Sequence, residues 1–209
     1  MVTDSITSNV LKEFIEEKLG GVHHRFKRGY KNVINEAIRL NKEGKESHLA
    51  IETSGHAALK ENYFLDDGAY LISKILIKMA KLKLEQNESL HSLIKELGEP
   101  LESFEFRMKM KCEDFKTYGN KIIHDLEEYA EIKEGWSIVP NNFEGIRIAV
   151  DKEFGHGWFL LRLSLHDPVM PLNIESDSNG GAKVILSNLL ELFNKYEKLD
   201  CNSISVFLD

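Results

Sequence analysis

The spacing of apolar residues predicts helices and one buried strand in the first half of the chain. Apolar side chains recur every three or four positions over residues 10–19, 33–38 and 69–84, which is the period of an amphipathic helix. A further short helix is expected around 90–97, and residues 49–51 form an apolar run of the kind that makes a buried strand. Alternation of helix and strand is typical of an α/β domain with a mixed sheet and helices.

The second half has a different pattern, with more strands than helices. Residues 103–110 alternate apolar and polar side chains, so they should form a strand with one buried face. Further strands are expected at 145–150, 157–164 and 169–175, and helices at 113–131 and 181–196. This order indicates an α+β domain, an antiparallel sheet with helices on one face. Gly-Glu-Pro at 98–100 breaks the pattern, so we expect domains at 1–98 and 99–209.

Composition narrows the class of protein. The chain has 209 residues, of which 42% are hydrophobic and 29% charged, which is typical of a soluble globular protein with a real core. The net charge of −7 argues against a general binder of nucleic acid or of anionic membranes. No apolar run approaches the roughly 20 residues of a membrane span. Cys112 and Cys201 lie far apart, which predicts neither a disulfide framework nor a zinc site, and we expect a reducing cytoplasm.

A polar cluster follows the predicted strand at 49–51. Glu52, Ser54 and His56 supply a carboxylate, a hydroxyl and an imidazole, and Gly55 lets the backbone approach a ligand closely. Because ligands of open α/β sheets bind beyond the carboxyl ends of strands, Glu52 and Ser54 could clasp two neighbouring sugar hydroxyls. The alternative is a capped turn in which Ser54 and His56 make only local hydrogen bonds, and the pattern alone favours that alternative.

Two further segments carry groups suited to anions. The stretch 25–31 is basic within an acidic protein, and it could bind a phosphate or carboxylate or simply be a solvated loop. Arg162 and Ser164 end a predicted strand, where a guanidinium, a hydroxyl and loop N–H groups could hold a phosphate. An ordinary hairpin with a solvent-facing arginine is the alternative, and Asp167 would repel a phosphate unless it points away.

The order of these segments resembles the α-D-phosphohexomutase superfamily, the phosphomannomutases and phosphoglucomutases. The family's sugar-binding loop Gly-Glu-x-Ser-Gly-His is similar to residues 51–56, and its acidic-Asp-Gly turn is similar to 66–68. Its upstream Thr-Gly-aromatic-Lys loop resembles 28–31, and its phosphate loop Arg-x-Ser-Gly-Thr-Glu-Pro resembles 162–168. Four spaced features agree, and they cover nearly the whole chain.

The resemblance implies which residues bind substrate. The implied sugar-binding residues are Tyr30, Lys31, Glu52, Ser54, Gly55 and His56. The implied phosphate-binding residues are Arg162, Ser164, Leu165 and His166. Leu165 and His166 stand where relatives carry glycine or asparagine and threonine, so Leu165 would contribute only its backbone N–H. No residue of the chain is expected to be catalytic or to bind a metal.

The resemblance also implies an activity shared with other domains. Family enzymes interconvert hexose 1-phosphates and 6-phosphates through a phosphoserine and a bisphosphate intermediate. Their first domain holds the serine in a Ser-His-Asn-Pro loop, their second holds Mg²⁺ in an Asp-Gly-Asp-x-Asp-Arg loop, and neither motif occurs in this sequence. We therefore expect the C-terminal half of a mutase, inactive alone, with domain three at 1–98 and domain four at 99–209.

The implied partners follow from that assignment. They are a hexose phosphate substrate, a glucose 1,6-bisphosphate-type activator, and domains one and two of the same polypeptide, which carry the Mg²⁺ site. An exposed apolar patch is expected where those domains would pack. We expect neither nucleic acid nor membrane as a partner.

Two other functions compete with the mutase. A stand-alone phosphosugar-binding or regulatory module without catalysis would carry the same loops, and the sequence does not separate it from a mutase half. A nucleic-acid-binding module is the third hypothesis, because the second domain is expected to share its shape with the TATA-box-binding protein. The acidic charge and the lack of a basic stripe argue against that hypothesis, and a shared fold carries no function by itself.

Overall fold

The computed structural model describes all residues 1–209, which form two units. Unit 1 comprises Met1–Glu99 and unit 2 comprises Pro100–Asp209. The sequence places the division between residues 98 and 99, one position earlier than the structure does. None of the helices combines the length and the apolar character that crossing a bilayer requires.

Unit 1 contains a four-stranded mixed sheet with the order β2-β1-β3-β4. Its strands are β1 (Val2–Thr3), β2 (His24–Arg25), β3 (Leu49–Ile51) and β4 (Ala57–Leu59). Its helices are α1 (Asn9–Glu13), which continues as a π-helical turn over Phe14–Lys18, α2 (Tyr30–Lys42) and α3 (Gly68–Gln86), with 3₁₀ turns at Lys60–Asn62 and Leu90–Leu93. β1 is parallel to both β2 and β3, whereas β4 is antiparallel to β3. The α/β class expected for this half is therefore confirmed.

A small core joins α2 to the sheet. Val33 and Ala37 lie one turn apart on the buried face of α2, as the apolar spacing predicts. They belong to one apolar cluster with Val2, Ala50 and Ala58, which come from β1, β3 and β4. Burial of this helical stripe holds α2 across β1, β3 and β4, and polar loops described below follow β1 and β3.

Helix α3 is present as predicted, but nearly all of it is exposed. Leu82 is its one buried residue, at 3% exposed. The exposed large apolar residues of the helix are Ile72, Ile75, Leu76, Ile77, Met79 and Leu84. Several of these lie three or four positions apart, so they share a helix face and form an exposed apolar patch of the kind the resemblance implies.

The prediction of a helix around 90–97 is wrong, because only the single 3₁₀ turn Leu90–Leu93 forms there. Leu93 and Ile94 are 44% and 50% exposed. A short helix in water needs tertiary packing to persist, and these two side chains find little of it within unit 1.

Unit 2 contains a six-stranded antiparallel sheet with the order β10-β5-β9-β8-β7-β6. Its strands are β5 (Glu102–Met110), β6 (Trp136–Ile138), β7 (Ile146–Val150), β8 (Gly157–Leu161), β9 (Val169–Ser176) and β10 (Leu199–Asp200). Its helices are α4 (Phe115–Ile132), α5 (Gly181–Phe193) and α6 (Asn202–Leu208). Every pair of neighbouring strands is antiparallel.

The core of unit 2 lies between one face of this sheet and the helices. Phe106, Met108 and Met110 alternate along β5 and are buried, while the residues between them are exposed. They share a cluster with Leu126 of α4 and Leu189 of α5. The α+β class with helices on one face is therefore confirmed. Strand β8 ends three residues earlier than the predicted 157–164, although the N–H groups of Arg162 and Ser164 still donate hydrogen bonds to the Pro171 and Val169 carbonyls.

Candidate functional site

The loops that follow three parallel strands of unit 1 lie side by side. β1 pairs in parallel with β2 on one side and with β3 on the other. Asp4 follows β1, the segment 26–29 follows β2, and Glu52 follows β3. The carboxyl ends of parallel strands are where open α/β sheets usually bind their ligands. Two segments that the sequence identified separately, 28–31 and 52–56, therefore meet at one edge of the sheet.

Glu52 joins these two segments. It is 9% exposed, and its carboxylate accepts a hydrogen bond of 2.5 Å from the Gly29 N–H and one of 3.1 Å from the Ser54 hydroxyl. Gly29 has a φ of 110°, and a Cβ there would lie 2.8 Å from Nδ2 of Asn32, so the position requires glycine. Each carboxylate oxygen can accept a second hydrogen bond. Glu52 can therefore hold both loops and still accept from a ligand hydroxyl.

His56 closes the cluster against the start of α2. Its Nδ1 lies 2.8 Å from Oδ2 of Asp66, and its ring stacks on that of Tyr30 with centroids 4.9 Å apart and planes inclined by 22°. Lys31 adds a cation, because its Nζ lies 5.8 Å from the Tyr30 ring centroid. Gly55 takes a φ of 92° in the turn that precedes His56. The six predicted sugar-binding residues thus lie in the loop 52–56 and at the adjoining start of α2.

The two aspartates of the acidic-Asp-Gly turn have different tasks. Asp67 caps α3, because its side chain accepts a hydrogen bond of 3.0 Å from the Tyr70 N–H. Asp66 does not cap the helix, because its carboxylate contacts His56 instead.

Asp4 is a site residue that the sequence analysis missed. It is 0% exposed, and its carboxylate accepts hydrogen bonds of 3.1 Å from the Thr53 N–H, 2.7 Å from the Thr53 hydroxyl and 3.0 Å from the Thr7 hydroxyl. Asp4 therefore fastens the loop 52–56 to the end of β1. No local sequence pattern marks this role, because Thr53 lies 49 positions further along the chain.

The basic stretch 25–31 divides into structural and exposed groups. Arg25 donates to the Thr7 carbonyl at 3.0 Å and to the Ser8 carbonyl at 3.4 Å, so it fixes the loop before α1. Lys27 is exposed, and its Nζ lies 5.7 Å from the Phe26 ring centroid. The structure thus ties Arg25 into the fold of unit 1.

The predicted phosphate-binding loop of unit 2 is a tight connection between β8 and β9. Arg162 is 8% exposed, and its Nη1 lies 3.9 Å from Oε1 of Glu144. The Ser164 hydroxyl accepts a hydrogen bond of 3.3 Å from the Asp167 N–H, which fixes the turn. Leu165 is 74% exposed and His166 is also exposed, so the tip of the loop faces solvent. The structure brings these four predicted residues into one connection.

Residues 1–209 contain no group of three or more His, Cys, Asp and Glu side chains placed to hold a metal ion. The neighbouring His23 and His24 each contact a side chain of the protein. His23 Nε2 lies 2.7 Å from the Thr3 hydroxyl, and His24 Nε2 lies 2.8 Å from a Glu36 oxygen.

Known proteins resemble this chain in both sequence and fold. Residues 1–100 match the family described as phosphoglucomutase/phosphomannomutase, alpha/beta/alpha domain III. A phosphomannomutase from Methanocaldococcus jannaschii is 28% identical over 206 residues, which is 97% of this chain. The same match covers 39% of the archaeal protein, so the chain spans well under half the length of this curated relative.

Two solved structures have the same fold. A phosphoglucomutase/phosphomannomutase family protein from Burkholderia thailandensis matches with a TM-score of 0.70 at 23% identity, over 94% of this chain and 37% of that one. The N-acetylphosphoglucosamine mutase of Aspergillus fumigatus matches with a TM-score of 0.56 at 11% identity, over 93% of this chain and 38% of that one. With the domain III match and the archaeal relative, these likenesses agree with the superfamily that the four sequence motifs indicate. The family match covers the whole of unit 1, and these findings together support assignment of the chain to the α-D-phosphohexomutase superfamily.

Proposed function

We propose that this chain supplies the substrate-binding half of a phosphohexomutase that interconverts hexose 1-phosphates and hexose 6-phosphates. Unit 1 is then the third domain, and unit 2 is the fourth. The observation that carries the proposal is the junction at Glu52, which holds Gly29 and Ser54 at the carboxyl end of the parallel strands. A carboxylate with spare acceptor capacity beside an exposed hydroxyl suits a pair of sugar hydroxyls.

Each loop has a distinct task in this proposal. Glu52 and Ser54 bind ring hydroxyls, and the stacked rings of Tyr30 and His56 border the sugar. In unit 2, Arg162 and the segment 164–166 bind the phosphate that is not reacting. Binding energy from these remote groups aligns the reacting end of the substrate, which is a positioning contribution to catalysis.

Phosphoryl transfer itself needs groups that the resemblance assigns to domains one and two of the same polypeptide. These are the serine that carries the phosphoryl group and the loop that holds Mg²⁺, an ion that neutralises charge on the transferred group when it is bound. The exposed apolar face of α3 is the surface that we propose those domains cover. The bisphosphate intermediate would form when the phosphoserine donates its phosphoryl group to the bound hexose phosphate. A glucose 1,6-bisphosphate-type compound would be the activator.

The cellular setting is part of the same proposal. Both cysteines are free thiols, which suits a reducing compartment, and we propose the cytoplasm. The net charge of −7 argues against nucleic acid and anionic membranes as partners, and it is compatible with a small phosphorylated ligand held by a local group of cations.

Calorimetric titration with glucose 1,6-bisphosphate tests the proposal. Weak saturable binding is expected, and Glu52→Ala and Arg162→Ala should each weaken it at least tenfold. Hydrogen bonds to charged groups contribute about 1.5–3 kcal/mol, and 1.4 kcal/mol corresponds to a factor of ten in affinity. The matched controls are Glu17→Ala and Arg107→Ala, which remove the same charges from exposed positions outside the two loops.

Two results would contradict this assignment. One is the absence of binding by the folded chain. The other is binding that is unchanged in Glu52→Ala and Arg162→Ala, or that weakens equally in the two control variants. Either outcome would mean that the predicted loops do not bind the ligand.

A further inference from the structure

His56 is fixed from three directions. Its backbone carbonyl accepts a hydrogen bond of 2.9 Å from the Glu52 N–H. Its Nδ1 lies 2.8 Å from the Asp66 carboxylate, and one face of its ring stacks on Tyr30 at 4.9 Å. Asp66 is itself anchored, because its backbone forms an antiparallel bridge with Ala58 of β4. The orientation of the imidazole is therefore set by the fold before any ligand binds.

The contact with Asp66 also selects a tautomer. A carboxylate accepts hydrogen bonds and does not donate them, so Nδ1 of His56 carries the hydrogen in the 2.8 Å contact. In a neutral imidazole this leaves a lone pair on Nε2, since the bond made by one ring nitrogen decides the state of the other. The His56 side chain is 50% exposed. With the Nδ1 edge and one ring face occupied, the Nε2 edge is the part left for a ligand.

We propose that Asp66 is a positioning residue that holds His56 in the Nδ1–H form and presents Nε2 as an acceptor for a hydroxyl of the bound hexose. The inference rests on the proposed function of the loop 52–56. The side-chain cap of α3 comes from Asp67. Capping of the helix therefore does not explain why residue 66 is an aspartate. A ligand hydroxyl that donates to a fixed Nε2 finds its acceptor already oriented, and less ordering has to occur on binding.

Nitrogen NMR of the 209-residue chain tests the tautomer directly. Long-range ¹H–¹⁵N correlations, recorded at a pH where the ring is neutral, show which nitrogen carries the hydrogen. The wild-type chain should carry it on Nδ1 of His56. Asp66→Ala and Asp66→Asn should move the equilibrium towards the Nε2–H form that free imidazole side chains prefer in water. Asp66→Asn keeps the size of the side chain, so it serves if the alanine variant fails to fold.

The neighbouring aspartate supplies the matched control for this experiment. Asp67→Ala removes the cap of α3 and should leave the His56 tautomer unchanged. A wild-type spectrum with the hydrogen on Nε2 would overturn the proposal, and so would an Nδ1–H form that survives in both Asp66 variants.

A double-mutant cycle on affinity separates positioning from a structural role. Asp66→Ala should weaken glucose 1,6-bisphosphate binding about fivefold, the equivalent of about one hydrogen bond. The double variant Asp66→Ala/His56→Ala should bind no more weakly than His56→Ala alone, because Asp66 acts through His56. Additive losses would overturn the proposal. If the wild-type chain binds no bisphosphate, the proposed function fails, while the tautomer spectra still decide whether Asp66 sets the state of His56.

Discussion

Replacing Asp4 by alanine should loosen the loop that carries Glu52 without disturbing unit 2. Asp4 is fully buried and accepts three hydrogen bonds, of 3.1 and 2.7 Å from Thr53 and of 3.0 Å from Thr7. A hydrogen bond to a charged group contributes about 1.5–3 kcal/mol. The sum is an upper bound, because Thr53 is exposed and its donors can bind water in the variant. Removing the buried charge also removes its desolvation cost. We therefore expect a loss of about 2–3 kcal/mol for Asp4→Ala.

The two units allow this loss to be located. Both tryptophans, Trp136 and Trp158, lie in unit 2, so their fluorescence reports unfolding of that unit, whereas far-UV circular dichroism reports both. In urea, Asp4→Ala should shift the transition followed by circular dichroism and leave the tryptophan transition in place. Asp4→Asn, which keeps one acceptor oxygen, should lose about half as much. Asp177→Ala, which removes an exposed carboxylate of unit 2, is the control.

A cycle with Thr53→Val tests the cause of the loss. If the hydrogen bonds to Thr53 explain it, the two variants should be non-additive by about 1 kcal/mol or more. An Asp4→Ala chain within about 0.5 kcal/mol of wild type would refute the reasoning, since that is the range of an ordinary surface substitution. An equal shift of both transitions would refute the assignment of the effect to unit 1.

Two further predictions concern the packing of unit 1. Glu36 is 4% exposed, and its two oxygens accept hydrogen bonds of 2.7 Å each from Arg39, which lowers the pKa of Glu36 below its ordinary value of 4.5. Because the pKa of Glu36 is lowered in the folded state, its contribution to stability is complete above pH 4.5 and is lost as the pH falls. Glu36→Gln should therefore lower the urea midpoint at pH 7 and flatten the decline of that midpoint between pH 5 and pH 3. A Glu36→Gln chain whose midpoint declines as steeply as that of the wild type would count against this. On α3, Leu76→Ser should change stability by less than about 0.5 kcal/mol because Leu76 is 52% exposed, whereas Leu82→Ala, at 3% exposed, should cost about 2–4 kcal/mol. Equal losses in urea unfolding would contradict the exposure of the α3 face.

The sequence predicts the long elements of this fold better than its short ones. Strand β5 has nine residues, and α4 and α5 have 18 and 13, so each contains several repeats of its apolar period. β1, β2 and β10 have two residues each, which is less than one full alternation. Such strands exist because neighbouring strands and helices hold them, and that information lies in tertiary contacts.

The candidate site shows the same division between local and distant information. The sequence places Glu52, Ser54 and His56 on one loop because they are contiguous. It gives no sign that Asp4 holds that loop, since Asp4 and Thr53 are 49 positions apart. It also does not show which of Asp66 and Asp67 caps α3, because both stand at the right spacing and only the path of the chain past His56 separates them.

Chemical-shift mapping with glucose 1,6-bisphosphate would test the central claim most directly. Backbone amide spectra of the chain, recorded during a titration, identify the residues whose surroundings change when the ligand binds. The account predicts saturable shifts at the amides of Gly29 and Ser54 in unit 1 and of Ser164 and His166 in unit 2. Shifts confined to other surfaces, or the absence of any saturable change, would contradict the assignment of these loops to sugar and phosphate binding.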